Sequence, residues 1–184
     1  ARRLLEGGAS TGAPPLFTDG DVEIRVLPED GAGDEWIGSA TNLLDAVAAL
    51  LEQLDPDRGY VAVMAYLDRT GADTDLARLP FIATRLSRAV GRPVTFGWGP
   101  RFLHSTGQYH KGGPPQGVYI QITDTPEDDL EVPGRDFTFA EFIAAQAGGD
   151  AAVLGDHARP VLRLHLRGSS GRAAVLRALS GAGG

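Results

Sequence analysis

The stretch YVAVMAYL, residues Tyr60 to Leu67, decides the fold class of this chain. It is an almost continuous apolar run between Gly59 and Asp68, which is typical of a strand buried on both faces of a parallel sheet. Such a strand is normally followed by a helix, and residues 75–90 place apolar side chains at helical spacing before Gly91. The stretch therefore predicts an α/β protein with helices on both faces of the sheet.

Further strands are predicted on both sides of this stretch. Four more segments have strand character: residues 22–26, 93–98, 117–123 and 161–166. Together these segments predict a mostly parallel sheet of about five strands in a three-layer α/β/α sandwich. Residues 1–20 are rich in Gly, Ala and Pro and are interpreted as a linker or lead-in, and residues 21–184 as a single domain.

One helix start is marked by a specific motif. In the segment FTFAEF, residues 137–142, Thr138 and Glu141 have the spacing of a capping box, with a phenylalanine on each side. This helix is expected to end at the glycine pair of residues 148 and 149. Asp150 is then expected to cap a second, shorter helix.

Composition excludes several classes of protein. The 184 residues include no cysteine, so disulfides, thiolate metal sites and a cysteine nucleophile are excluded. The net charge of −7 argues against binding to nucleic acid or to an anionic membrane by bulk charge. No run approaches the roughly 20 apolar residues of a membrane span. We therefore expect a cytoplasmic protein, and the first residue, Ala1, suggests that the chain is part of a longer one.

The charges are distributed unevenly along the chain. Between Asp75 and Asp124 there is no acidic residue. The same interval contains six basic residues, namely Arg78, Arg85, Arg88, Arg92, Arg101 and Lys111. An anionic ligand is therefore expected to bind within this interval.

A glycine-rich segment in this interval carries most of the candidate site residues. The segment GWGPRFLHSTGQYHKGG, residues 97–113, contains two of the four histidines and the only lysine of the chain. It is expected to form a loop whose backbone amides approach an anion, such as a phosphorylated or carboxylated small molecule. The candidate residues are Arg101, His104, Ser105, Thr106, Gly107, Gln108, His110 and Lys111.

Less specific interpretations of the histidines are kept open. A histidine in a glycine-rich loop is more often solvated than catalytic. A metal site at His104 and His110 lacks an acidic third ligand, so no metal is expected. His165 alternates with leucines on a strand and is interpreted as structural, while His157 is interpreted as a helix C-terminal residue. The motifs of serine hydrolases, P-loop proteins and dinucleotide-binding proteins do not occur.

The segment GPRFLHSTGQYHKGG, residues 99–113, with the following GVYIQIT and FAEFIAAQ, resembles a known family. It is similar to the C-terminal part of the phosphoglucose isomerase moiety of actinobacterial bifunctional transaldolase/glucose-6-phosphate isomerases. The resemblance covers residues 60–180. It implies a sugar isomerase (SIS) domain with flavodoxin-like topology. The implied reaction is the aldose–ketose isomerisation of glucose 6-phosphate to fructose 6-phosphate in glycolysis and gluconeogenesis, without a metal or organic cofactor.

The resemblance also implies roles for individual residues. In the family, the histidine of a Gly-Gln-His loop helps to open the sugar ring. Here the loop has one extra residue and reads Gly107-Gln108-Tyr109-His110, so His110 takes this role and His104 is the reserve. Lys111 and Arg101 are expected to stabilise the phosphate or the charge of the enediolate.

Two features of the family are absent. Its enediol base is a glutamate in a Glu-Ser-Asn-Gly-Lys motif, and residues 84–92, which correspond to it, contain no acid. A late lysine in a Gly-Val-Glu-Leu-Gly-Lys helix also has no counterpart. We therefore expect one isomerase subdomain whose complementary half lies upstream, in a second SIS or a transaldolase domain, or in a partner. The parent protein is expected to be an enzyme and the isolated chain inactive.

The alternative function is a non-catalytic module that binds a phosphosugar or has a structural role. The absent glutamate favours this alternative for the chain alone, whereas the His-Lys loop favours the isomerase for the parent protein. A homodimer stays open, and neither nucleic acid nor membrane is an expected partner.

Overall fold

A computed structural model describes residues 14–27, 35–69, 76–126 and 128–181. Its strands are β1 (Phe17–Asp19), β2 (Val22–Leu27), β3 (Tyr60–Tyr66), β4 (Val94–Trp98), β5 (Gly117–Asp124) and β6 (Val161–Leu166). Its α-helices are α1 (Leu43–Leu51), α2 (Leu79–Val90), α3 (Thr106–Gly112), α4 (Phe139–Asp156) and α5 (Gly168–Gly181). Short 3-10 helices lie at Glu35–Ile37, Leu76–Arg78 and Arg101–His104.

The strands form one mixed sheet in the order β1-β2-β6-β5-β3-β4. The four strands β6, β5, β3 and β4 are parallel, whereas β2 is antiparallel to both β6 and β1. The predicted α/β class with a mostly parallel sheet is confirmed. Across the sheet the four parallel strands lie in the order β4-β3-β5-β6. Counted along the chain, this is the order second, first, third, fourth, as in flavodoxin-like sheets.

The expected number of about five strands is wrong, because the described residues form a sheet of six. The additional strand, β1, lies within residues 1–20, which were assigned to a lead-in. It is only three residues long and pairs with β2 across a turn at Gly20, whose φ of +56° suits glycine. The sheet begins at Phe17 rather than at residue 22. Three residues are too few to show an alternating pattern, so the sequence did not indicate β1.

The two faces of the sheet have separate hydrophobic cores. On the first face, helices α1, α2 and α5 cover one set of strand residues, including Val63, Ile120 and Leu164. On the second face, α4 and the 3-10 helix Arg101–His104 cover the alternate set, including Met64 and Tyr119. All seven residues of β3 are buried, which explains why its sequence shows no polar alternation.

Helix α4 is a single helix, so the predicted break after the glycine pair is wrong. Its capping box is confirmed: the Glu141 amide donates to Thr138 Oγ1 over 3.2 Å, and the Thr138 amide donates to Glu141 Oε2 over 2.8 Å. The two glycines cost about 1 kcal/mol each relative to alanine in a helix. Burial of Ala147, Ala151 and Leu154 against the second face offsets this cost.

Within the described ranges, no helix has the length and apolar character needed to cross a membrane.

Candidate functional site

The segment expected to be an open loop is largely helical. After β4 the chain forms the 3-10 helix Arg101–His104 and then α3, Thr106–Gly112. Phe102, which is buried, anchors this turn, and a Cβ on Gly107 would lie only 2.9 Å from its carbonyl oxygen. The glycine therefore allows close packing of α3. Helical turns use some of the backbone amides of the segment, because those of Leu103, Ser105 and Gln108 donate to carbonyl oxygens within it. The binding of an anion by the remaining amides stays a prediction.

The first half of the segment presents its polar side chains to solvent. Arg101, His104, Ser105 and Thr106 are all exposed, close to the carboxyl end of β4. Gln108 is also exposed, and its Nε2 donates to the carbonyl oxygen of Leu103 over 2.9 Å. The structure therefore brings the first four candidate residues together on one short surface segment.

His110 lies on the opposite side of α3 and is only 5% exposed. Its ring is surrounded by those of Tyr119, Tyr60 and Phe102, with centroid distances of 5.4, 5.9 and 6.4 Å. Nδ1 of His110 is buried and has no hydrogen-bond partner. Burial lowers the pKa of His110, which keeps the imidazole neutral near pH 7.

Lys111 is held by a carboxylate from α4. Its Nζ lies 2.6 Å from Oδ1 of Asp150, whose side chain is 2% exposed. The hydroxyl of Tyr66, at the end of β3, donates to Oδ2 of Asp150 over 3.1 Å. Burial, reinforced by the nearby Asp150 carboxylate, raises the pKa of Tyr66, so the hydroxyl remains protonated and serves as a donor.

Asp150 was missed as a site residue, because its position after two glycines was interpreted as a helix cap. A signal for its actual role is nevertheless present in the sequence. On one continuous helix, Asp150 lies three residues after Ala147 and four before Leu154, on the apolar stripe that faces the sheet. A carboxylate on such a stripe requires a buried partner, and Lys111 provides it.

Two further contacts fix the end of α3 against the sheet. The hydroxyl of Tyr119 donates to the carbonyl oxygen of His110 over 3.0 Å. Nη2 of Arg159, which precedes β6, donates to the carbonyl oxygen of Gly113 over 2.7 Å. These two bonds hold the backbone around His110 and Lys111 in place.

The two remaining histidines have the structural roles predicted for them. The ring nitrogens of His165 lie 3.0 Å from Oγ1 of Thr123 and 3.2 Å from Oγ1 of Thr125. Nδ1 of His157 lies 2.8 Å from the carbonyl oxygen of Val153 in the last turn of α4. Among the described residues, no group of three or more His, Asp or Glu side chains is placed to hold a metal ion.

The buried histidines make stability depend on pH. Burial lowers the folded-state pKa of His110 below its ordinary value of 6.5, so the unfolded chain binds a proton that the folded chain does not. Stability is therefore lost as the pH falls below 6.5. We expect His110→Gln to flatten this loss by about 1 kcal/mol per pH unit, measured by urea unfolding between neutral and mildly acidic pH. His104→Gln, at an exposed position, should retain the wild-type dependence of stability on pH. The same dependence on pH in all three proteins would contradict the prediction.

Comparisons with known proteins establish the fold alone. No family model matches the chain, and no curated protein matches it. Among solved structures, the chain is similar to hypothetical protein TT0462 from Thermus thermophilus, with 20% sequence identity and a TM-score of 0.62. The match covers 75% of this chain and 37% of that one, so the chain spans well under half of the solved protein.

Proposed function

We propose that this chain is one domain of an aldose–ketose isomerase of the glucose-6-phosphate isomerase type, and that His110 is its proton-transfer group. The observation that carries the proposal is the neutral imidazole of His110, with an unpartnered Nδ1, next to a lysine held by a buried carboxylate. The resemblance of residues 99–113 to phosphoglucose isomerases supports the substrate class. The reaction would take place in the cytoplasm.

The chemistry requires a group that both accepts and donates a proton. Opening of the sugar ring moves a proton from the C1 hydroxyl to the ring oxygen, while the bond between C1 and the ring oxygen breaks and a C1 carbonyl forms. A neutral imidazole accepts a proton at one nitrogen and donates one from the other, which suits His110. The ammonium group of Lys111 would stabilise the negative charge that develops on the enediolate oxygen. No metal or organic cofactor is required for these steps.

The phosphate would bind at the exposed start of the segment. Arg101, His104, Ser105 and Thr106 lie beyond the carboxyl end of β4, and ligands of parallel sheets bind beyond the carboxyl ends of strands. The guanidinium and hydroxyl groups are suitable donors to phosphate oxygens. Gly107 and Gln108 would shape this end of α3 through their contacts with Phe102 and Leu103.

The base that abstracts the C2 proton would come from outside this chain. The Asp150 carboxylate is not available as this base, because it already contacts Nζ of Lys111 and accepts from the Tyr66 hydroxyl. A complementary half, either an upstream SIS or transaldolase domain, a partner protein or a second copy, would supply the base and complete the site. His110 would meet the substrate in that assembled site.

A specific observation favours a second function, a module that binds a phosphosugar without catalysing its isomerisation. The His110 ring is only 5% exposed, and Lys111 is paired with Asp150. In this case the exposed residues at the start of the segment would bind the phosphate, and His110 would contribute only to packing. The two functions share the binding step and differ in the consequence of replacing His110.

Titration of the isotope-labelled chain with glucose 6-phosphate, followed by NMR, tests the binding step. We expect shifts of the amides of residues 101–106 at millimolar concentrations, weaker shifts with inorganic phosphate and none with glucose. Arg101→Ala should remove the shifts, whereas Arg135→Ala, at an exposed position in another loop, should retain them. If these amides do not move, both proposed functions fail.

A further inference from the structure

The outer strand of the parallel half of the sheet, β4, has one free edge. β4 is the last strand in the sheet order and pairs on one side with β3. Among the residues that the structure describes, no strand pairs with its other side. This edge lies within the acid-free interval of the sequence, which the proposed function uses only in part.

The hydrogen bonds to β3 show which backbone groups face outward. The carbonyl oxygen of Pro93 accepts from the Val61 amide over 3.0 Å, and the Gly99 amide donates to the Ala65 carbonyl over 2.8 Å. Residues two apart in a strand direct their backbone groups to the same side, so Thr95 and Gly97 also bond to β3. The alternate residues of β4, at positions 94, 96 and 98, therefore direct their N–H and C=O groups away from the sheet.

Nothing within β4 prevents another strand from pairing there. Exposed edges are usually protected by proline, charged residues or bulges. The sequence of β4 is VTFGW, which contains neither proline nor charge, and its register with β3 is regular over all five residues. Phe96 and Trp98 pack edge to face, with ring centroids 5.0 Å apart, and both stay partly exposed.

The charges around the strand select the kind of partner. No carboxylate is present between residues 76 and 123, so α2, which carries Arg85 and Arg88, contributes only positive charge, whereas Lys111 of α3 is paired with Asp150. Antiparallel pairing of two copies centred on Phe96 would bring Arg92 of each copy close to Arg101 of the other, which opposes self-pairing. Arg101 lies three residues beyond the carboxyl end of β4 and its side chain is exposed, so this end offers a cation to a carboxylate of the partner.

We propose that the free edge of β4 is a docking site for an extended acidic segment of a partner polypeptide. The segment would pair as a seventh strand with the outward groups of Val94, Phe96 and Trp98, and its carboxylates would lie near Arg101. Main-chain hydrogen bonds would provide affinity and the charges would provide selectivity, as in other cases of strand addition. This inference does not depend on the proposed isomerase function.

Amide hydrogen exchange tests the edge with two synthetic peptides. One alternates glutamate with valine and the other alternates lysine with valine. We expect the glutamate peptide to slow exchange at Val94, Phe96 and Trp98 by about tenfold, and the lysine peptide to have no effect. Exchange at Thr95 and Gly97 should be slow without any peptide, because these amides already bond to β3.

Variants separate the strand contact from the charge contact. Val94→Pro removes one outward N–H without removing a bond to β3, and it should abolish protection by the glutamate peptide. Arg101→Glu leaves the strand intact and should weaken protection, whereas Arg135→Glu should not. The proposal is overturned if the glutamate peptide gives no protection or if the lysine peptide protects equally. It is also overturned if Val94, Phe96 and Trp98 become protected in a concentration-dependent way without peptide, since the occupant is then a second copy.

Discussion

Replacing His110 with glutamine is expected to lower the proposed isomerase activity by a factor of about 10² to 10⁴. The reason is the loss of a group that accepts and donates a proton in one step, which an amide side chain does not do at neutral pH. Glutamine is polar and of similar size, so its effect on packing among Tyr60, Phe102 and Tyr119 is smaller than that of alanine. The measurement is the rate of conversion of fructose 6-phosphate to glucose 6-phosphate, together with the fraction of folded protein.

Two controls make this result specific. His157→Gln alters an exposed histidine outside the site and should retain full activity. His104→Gln tests the reserve candidate at the exposed start of the segment. If His110→Gln remains folded and fully active, the isomerase role of His110 is wrong. The non-catalytic module is favoured by a different result: the parent protein does not isomerise the sugar, and His110→Gln binds the phosphosugar as the wild type does.

Replacing Asp150 with asparagine is expected to lower the free energy of unfolding by about 3 kcal/mol at pH 7. The change leaves the Lys111 ammonium without its counterion in a site where its side chain is only 21% exposed. It also weakens the acceptor for the buried Tyr66 hydroxyl. The measurement is the midpoint and slope of urea unfolding, with equal slopes showing that the unfolding reaction is unchanged.

A double substitution distinguishes the ion pair from a general packing effect. Asp150→Leu combined with Lys111→Met removes both charges, and we expect it to recover most of the stability lost by the single change, since buried pairs are often replaced by apolar residues at little cost. Asp156→Asn, an exposed position on the same helix, should change stability by less than about 0.5 kcal/mol. A loss below about 1 kcal/mol for Asp150→Asn would show that the ion pair is not structurally important.

Residues of β3 and the capping box of α4 could be predicted from sequence because the causes are local. Burial on both faces makes every residue of β3 apolar or aromatic, and the reciprocal bonds of Thr138 and Glu141 require a fixed spacing. The continuity of α4 could not be predicted in this way. Its two glycines lower local helix propensity, and only packing against the sheet, which involves distant residues, outweighs that cost.

The candidate site likewise was predictable where its causes are local and not where they depend on distant packing. The segment of residues 97–113 was found from its composition, but its shape was not, because the packing of Phe102 and Gly107 turns an expected loop into two helical turns. The pair of Lys111 and Asp150 depends on α3 and α4 lying on the same face of the sheet. That placement follows from the order of the strands, which the sequence pattern alone does not specify.

Lys111 is the only lysine of the chain, and it is ion-paired between α3 and α4. Its ammonium group must leave Asp150 and lose its proton before it attacks an amine-directed reagent. The one lysine side chain of the molecule therefore lies at the contact between α3 and α4. Labelling of this one lysine side chain, read by peptide mapping, would consequently report the separation of α3 from α4 without an engineered label.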